Sequence, residues 1–252
     1  MPTGTGKTET MLSILIANQC PKVLITVPSD ALRDQLANKF ITLGILPKYE
    51  IVASDCIYPN VGIVKEGMDY NGWHSLIEKS NVIITTMPLI ANSESTIIDL
   101  LRANISHLFI DEAHHCISDS YQKVLRHFPD AEVLGVTATP DRGDMQNLGT
   151  VFESLAYEYT LPKAIKEGYL SPIKAVTIPL KIDMSAVGVQ AGDFKSGDIA
   201  TALDPYLESI AEEMEKYCSN KKTVVFLPLV KTSQKFRDIL NNHGFKAAEV
   251  NG

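Results

Sequence analysis

Met1-Pro-Thr-Gly-Thr-Gly-Lys-Thr8 opens the chain, and the chemistry it allows is narrow. Gly4 and Gly6 let the backbone turn so that successive amide N–H groups face phosphate oxygens, with Pro2, Thr3 and Thr5 completing the loop. Lys7 can reach β- and γ-phosphates, and the Thr8 hydroxyl suits a Mg²⁺ ligand. Met11, Leu12, Leu15 and Ile16 follow at helical spacing, so the loop feeds a helix over Glu9 to Ala17 whose N-terminus points at the anion. The usual pattern has a small residue five positions before the second glycine, where this chain has Met1. Alone, the string could be a chance loop.

The segment Ser106-His-Leu-Phe-Ile-Asp-Glu-Ala-His114 narrows the choice. Leu108 to Ile110 is a short apolar run that reads as a buried parallel strand, and it ends in two adjacent carboxylates. Ligands of open α/β sheets sit outside the carboxyl ends of the strands. Asp111 suits a role in holding Mg²⁺, and Glu112 suits orienting and deprotonating the attacking water of a phosphoryl transfer. A strand ending in a solvated acidic turn is the plain alternative.

Val133-Leu-Gly-Val-Thr-Ala-Thr-Pro140 is another apolar run, ending in hydroxyl residues. Thr137 and Thr139 can hydrogen-bond to a neighbouring strand end, with His114 the obvious partner, which would couple nucleotide state to domain position. By itself this run serves equally well as a strand end and helix cap.

Together these segments resemble the superfamily 2 helicases and translocases of the DEAD/DEAH-box type, in the branch that holds restriction-enzyme motor subunits and repair and phage helicases. Pro2 to Thr8 resemble motif I, Asp111 to His114 motif II, and Thr137 to Thr139 motif III. Val27-Pro28-Ser29, with Leu32 and Gln35 after it, resembles motif Ia, and Ile84-Thr-Thr-Met-Pro88 resembles motif Ib. Thr223-Val-Val-Phe-Leu-Pro228 is similar to motif IV, and Pro140-Asp-Arg-Gly-Asp144 and Tyr157 to Leu170 also look typical of the branch. The resemblance implies ATP and Mg²⁺ as cofactors and a nucleic-acid backbone resting on Pro28, Ser29, Thr85 and Thr86. It implies catalytic roles for Lys7, Asp111 and Glu112, and an α/β RecA-like P-loop NTPase domain followed by the first part of a second.

Two departures set a further expectation. The family places an adenine-recognising segment before the phosphate loop, and motifs V and VI, with an arginine finger, after the point where this chain stops at Val250-Asn-Gly252. Neither Arg142 nor Arg237 looks like a replacement, so the chain reads as truncated at both ends, without a complete catalytic site of its own.

The 252 residues allow one large domain or one and a half, and a 45% apolar fraction supports a core. No run approaches a membrane span and no signal-peptide pattern opens the chain, which together fit a cytoplasmic protein. Cys20, Cys56, Cys116 and Cys218 have neither metal-ligand nor disulfide-framework spacing, and the six histidines form no zinc pattern. The net charge of −7 counts mildly against a nucleic-acid binder. Lys22, Arg33 and Lys39 near motif Ia could contribute cations, although Arg33 and Lys39 fit a solvated helix face as well.

Along the chain, strands are expected at Lys22 to Val27, Glu50 to Ala53, Gly62 to Lys65, Asn81 to Thr85, His107 to Asp111 and Glu132 to Thr137. Helices are expected at Ser29 to Phe40, Tyr70 to Lys79, Thr96 to Leu101 and Tyr121 to His127, with Val61 to Gly72 an edge hairpin or turn region. This βα alternation with apolar strands indicates a parallel sheet covered on both faces. Residues 1–170 form the first domain in this scheme, 171–200 a linker and 201–252 the start of a second. The linker holds a strand at Ile173 to Leu180 and a pointed segment, Gln190-Ala-Gly-Asp-Phe194. The second domain holds a helix at Pro205 to Tyr217 capped by Asp204, a buried strand at Thr223 to Leu227, a helix at Thr232 to Asn242 closed by Gly244, and a strand at Lys246 to Val250.

The expected activity is that of an ATP-dependent motor on single-stranded or duplex DNA, with RNA second to DNA and partner subunits possible. A duplex-DNA translocating subunit of a restriction system, an RNA helicase, and a fragment that binds nucleotide without turnover are the alternatives. A small-metabolite kinase shares the phosphate loop but predicts neither the Asp-Glu-Ala-His strand nor a second domain.

Overall fold

A computed structural model of the chain describes residues 1–139, 148–177, 182–190 and 193–250. They divide into two compact units, Met1–Pro172 and Ile173–Gly252. None of the described helices is long and apolar enough to cross a membrane.

The first unit is a parallel sheet with helices on both faces. The phosphate loop leads directly into α1 (Lys7–Ala17), then β1 (Val23–Val27), α2 (Asp30–Thr42), β2 (Val61–Ile63), α3 (Tyr70–Lys79), β3 (Val82–Thr86), α4 (Met87–Ala91) and α5 (Ser95–Asn104). β4 (His107–Asp111) runs into a 3₁₀ turn at Ala113–Ile117, followed by α6 (Asp119–Arg126), β5 (Glu132–Val136), a 3₁₀ turn at Leu148–Thr150 and α7 (Leu161–Lys166). The five strands lie in the order β2-β3-β1-β4-β5, every pairing parallel. β1 and β3, with neighbours on both sides, are buried at every position, which is why Val23–Val27 and Val82–Thr86 carry no alternation.

Period two nevertheless sorts the strand residues between the faces. Val23, Ile25, Val27, Ile84 and Phe109 pack with Met11, Leu12, Leu15, Leu36 and Phe40 of α1 and α2. Leu24, Ile83, Leu108 and Ile110 pack on the opposite face with Trp73, Ile77, Leu101 and Val124 of α3, α5 and α6. Each fully buried side chain of this size contributes about 1.5–3 kcal/mol of transfer free energy. The ends are set locally. The Ser29 side chain accepts from the Leu32 amide and Asp69 from that of Gly72, so α2 and α3 start at those caps.

Three expected strands are absent. Residues 50–53 are irregular rather than a strand, with Ile51 exposed, and β2 is a three-residue parallel strand at the sheet edge rather than half of a hairpin. In the second unit, residues 223–227 and 246–250 are not strands: Val224, Phe226 and Val250 are 77%, 91% and 98% exposed. An apolar run becomes a buried parallel strand only when sheet neighbours satisfy its backbone on both sides. The only strands described in that unit are the two-residue antiparallel pair β6 (Val189–Gln190) and β7 (Asp193–Phe194).

The second unit is otherwise helical. α8 (Ser196–Leu203) and a 3₁₀ turn at Asp204–Tyr206 precede α9 (Leu207–Cys218), so Pro205 lies in that turn, ahead of α9 rather than at its first position. α10 (Val230–Asn242) packs Phe236, Ile239 and Leu240 on Leu207, Ala211 and Met214 of α9. Gly244, with φ +83°, follows its end. The expected strand at Ile173 to Leu180 is not one over residues 173–177, and its remainder lies outside the described residues. So do Pro140 to Asp144, including Arg142, and Ala191, Gly192, Asn251 and Gly252.

Candidate functional site

The phosphate loop, the two carboxylates at the end of β4 and the threonine after β5 all lie at the carboxyl edge of the sheet. Gly4 and Gly6 have φ of +84° and +95°, a region that costs a side-chain-bearing residue strain. Thr5 closes the loop by donating both its amide and its hydroxyl to the Pro2 carbonyl, at 3.3 and 2.7 Å. Gly6 occupies the N-cap of α1 with no side chain to accept from the first turn, which leaves that turn's amides available to an anion. Thr3 is exposed beside them.

Lys7 begins α1, and its Nζ lies 3.6 Å from Oε1 of Glu112. The other Glu112 oxygen, Oε2, is 3.3 Å from Nδ1 of His114. That nitrogen also lies 3.0 Å from the Thr137 hydroxyl, which in turn accepts from the Thr139 amide at 3.2 Å. A continuous polar chain therefore runs from the phosphate-loop cation to the end of β5.

Backbone strain aims the carboxylates apart. Glu112 has φ 52° and ψ 50°, left-handed values that cost a non-glycine residue about 1 kcal/mol or more. Its amide donates to Oδ1 of Asp111 at 3.0 Å while its own side chain turns to Lys7 and His114. Burial pushes the Asp111 carboxyl above its ordinary range, helped by the Glu112 charge and opposed by that amide and by Lys7. The Thr8 hydroxyl has no hydrogen-bond partner among the described residues. A desolvated carboxylate and an uncommitted hydroxyl are the donor set of a hard divalent cation shared with phosphate oxygens. No group of three or more His, Cys, Asp and Glu could hold a metal alone among the described residues.

The nucleic-acid candidates separate. Pro28, Ser29 and Thr86 share a groove of about 540 Å³ with Asp30, Glu66, Gly67, Pro88, Leu89 and Asn92. Thr85 does not reach it: the residue is 0% exposed, registered against Thr26 inside the sheet, and so has no surface to offer a strand. The three cations near motif Ia are committed elsewhere. Arg33 is buried and paired with Asp30 and Asp34, and Lys39 bonds Glu9 at 2.8 Å. Lys22 donates to the Ile77 carbonyl. Arg33 is not on the solvated face its helix position allowed, whereas Lys39, its side chain 39% exposed, is partly solvated while bonded to Glu9.

Sequence reasoning missed Gly135. A Cβ built there would lie 2.5 Å from Cζ of Phe152 and 2.8 Å from Cβ of Ala113, so the strand before Thr137 comes close to the turn that carries His114 only as glycine. A lone glycine in an apolar run was the available signal.

The family described as "Type III restriction enzyme, res subunit" matches residues 1–142. IRC3 of Saccharomyces cerevisiae, named as an ATP-dependent helicase, is 27% identical over 138 residues, covering 51% of this chain and 19% of that protein. The type I restriction enzyme EcoAI endonuclease subunit of Escherichia coli is 25% identical over 156 residues, with 54% and 19% covered. The matched stretch is thus about a fifth of each relative. Among solved structures, the Mycobacterium smegmatis helicase Lhr bound to ssDNA and AMP-PNP superposes with a TM-score of 0.52 at 19% identity, covering 96% of this chain and 31% of that one. The shared architecture is the RecA-like α/β fold.

Proposed function

The chain belongs to the type III restriction enzyme res subunit family, within the superfamily 2 helicases and translocases, and from that premise we propose that it is the ATP-binding part of a motor that moves on DNA. Residues 1–170 act as its first motor domain, 171–200 as a linker and 201–252 as the beginning of a second. The observation that carries this reading is the polar chain Lys7–Glu112–His114–Thr137, which starts at an uncapped helix N-terminus and ends on a neighbouring strand.

The triphosphate rests on the amides from Gly4 to Lys7, and Lys7 leaves Glu112 to meet the β- and γ-phosphates. Thr8 and Asp111 hold Mg²⁺, which when bound neutralises charge building on the phosphate oxygens. Glu112, freed from Lys7 and steadied by His114, orients the attacking water and accepts its proton. His114 passes the change at Glu112 to Thr137, coupling turnover to β5. Pro28, Ser29 and Thr86 carry the nucleic-acid backbone in their groove. The four free cysteines fit a reducing compartment, and the cytoplasm is the location assigned.

Duplex translocation without unwinding is the second reading, favoured by the restriction-subunit relatives. Steady-state ATP hydrolysis by the complete protein, compared without polymer and with single-stranded DNA, duplex DNA or RNA, tests both. Stimulation by either DNA supports the motor, and a requirement for duplex favours translocation. If no polymer stimulates hydrolysis, the motor reading fails and a nucleotide-binding module remains.

A further inference from the structure

Asn92 lines two cavities at once. One is the groove of Pro28, Ser29 and Thr86; the other, of about 680 Å³, is formed with Ala91, Asp119, Ser120, Lys123, Val124, Arg126 and His127. The two differ in charge. Among the described residues, Asp30 and Glu66 line the first groove and no lysine or arginine does, whereas Lys123, Arg126 and His127 on and just after α6 line the second, with Asp119 as their carboxylate neighbour.

A polyanion needs cations along its path, and the groove supplies none of its own. Arg33, Lys39 and Lys22 are held by Asp30 and Asp34, by Glu9, and by the Ile77 carbonyl. Lys123 and Arg126 are exposed, and the side chain of neither has an ion-pair or hydrogen-bond partner among the described residues. They stand three positions apart on one short helix, hence on the same side of it. That side is held beside α4, the helix that follows Thr86: Ala91 of α4 and Asn92 after it line the same cavity as α6.

We infer that the strand path continues from the Ser29–Thr86 groove across Asn92 onto α6, where Lys123 and Arg126 bind the phosphodiester backbone of single-stranded nucleic acid. The inference rests on the nucleic-acid reading of that groove and extends it to residues outside its motifs. Division of labour follows. Hydroxyl and amide groups of the groove position the strand, and the α6 cations supply the charge-dependent part of the affinity.

The test is a fluorescence-anisotropy titration of a labelled oligo-dT with the protein at several NaCl concentrations. The parent is compared with Lys123→Gln/Arg126→Gln, with the charge reversal Lys123→Glu/Arg126→Glu, and with the groove variant Ser29→Trp. Each lost phosphate contact should lower the slope of log K against log salt by about 0.7, so the Gln pair should flatten it by about 1.4. The Glu pair should weaken binding further at low salt, while both pairs keep the parent's affinity for a fluorescent ATP analogue and its circular dichroism. An unchanged slope in both pairs, with Ser29→Trp still weakening binding, overturns the α6 extension and leaves the groove intact. If the parent binds the ATP analogue but no oligonucleotide, the nucleic-acid reading falls, and this inference with it.

Discussion

Nζ of Lys7 lies 3.6 Å from Oε1 of Glu112, so the phosphate-loop cation and the carboxylate read as the water-activating base neutralise one another across the nucleotide site. Lys7 is 11% exposed and Glu112 26%, which shields the pair from full solvent screening. A nucleotide phosphate entering the loop must compete with Glu112 for the lysine. On the proposed mechanism, ATP binding therefore includes the displacement of Glu112 from Lys7.

Two substitutions separate the halves of that pair. Lys7→Ala removes charge-assisted contacts to phosphate and should weaken binding of a fluorescent ATP analogue about 10- to 100-fold. Glu112→Gln removes the competitor and the base together. It should bind the analogue at least as tightly as the parent, with hydrolysis reduced about 10²- to 10⁴-fold. Hydrolysis at the parent rate in the Gln variant of the complete protein would show that Glu112 is not the base.

His114 and Thr137 should be energetically coupled through the 3.0 Å contact between Nδ1 and the hydroxyl. In a double-mutant cycle of His114→Ala and Thr137→Val, followed by urea denaturation, the interaction term should be about 0.5–1.5 kcal/mol. For the coupling role, each single variant should retain ATP binding but lose stimulation of hydrolysis by DNA. Full stimulation in both would reduce the contact to a structural one.

Much of this arrangement was legible in the residues. A Gly-Thr-Gly-Lys-Thr string admits few conformations, and three apolar runs ending in Thr, Asp-Glu and Thr signal strand ends at one sheet edge. The His114–Thr137 contact follows once those strands are neighbours. What was not legible depends on distant partners. Thr223 to Leu227 is as apolar as β1, yet only neighbouring strands could bury it. Thr85 and Thr86 look alike in sequence, but period two sends their side chains to opposite faces and only Thr86 reaches the groove. Asp30 and Asp34 beside Arg33 in sequence did mark that cation as spent, whereas the partner of Lys39, Glu9, sits 30 residues away on α1 and nothing local points to it.

Gly135→Ala should be costly for a strand substitution. The added methyl meets Phe152 and Ala113 at 2.5 and 2.8 Å, so β5 or the turn after Glu112 must shift. Overpacking of this kind costs about 1–3 kcal/mol, and at this chain length each kcal/mol lowers the melting temperature by about 2–4 °C. Phe152→Leu in the same background should recover part of the loss, because one of the two obstructing groups is gone. If the Gly135→Ala variant melts at the parent's temperature, the strand relaxes freely there and the close approach costs nothing.

The second unit should respond to pH through His243. Its ring follows α10 and lies between two carboxylates of α9, with Nδ1 2.5 Å from Glu215 and Nε2 3.0 Å from Glu208. Hydrogen bonds to Glu215 and then Glu208 hold the imidazole pKa above its ordinary value, and burial opposes them only in part. A raised folded-state pKa means that folding favours the protonated ring. The stabilisation is then complete below the unfolded pKa of about 6.5 and disappears as pH rises through the higher folded value. Two nitrogens both contacting carboxylates require both protons, so deprotonation leaves one carboxylate facing a lone pair. Amide exchange in α9 and α10, corrected for its intrinsic pH dependence, should therefore speed up as pH rises above about 6.5 and through the raised folded-state pKa. His243→Gln should exchange at the faster rate throughout and lose the transition. Proton NMR of the parent should place the ring pKa above about 6.5. A value at or below it, with exchange indifferent to pH, would show that the clamp contributes nothing to holding the two helices together.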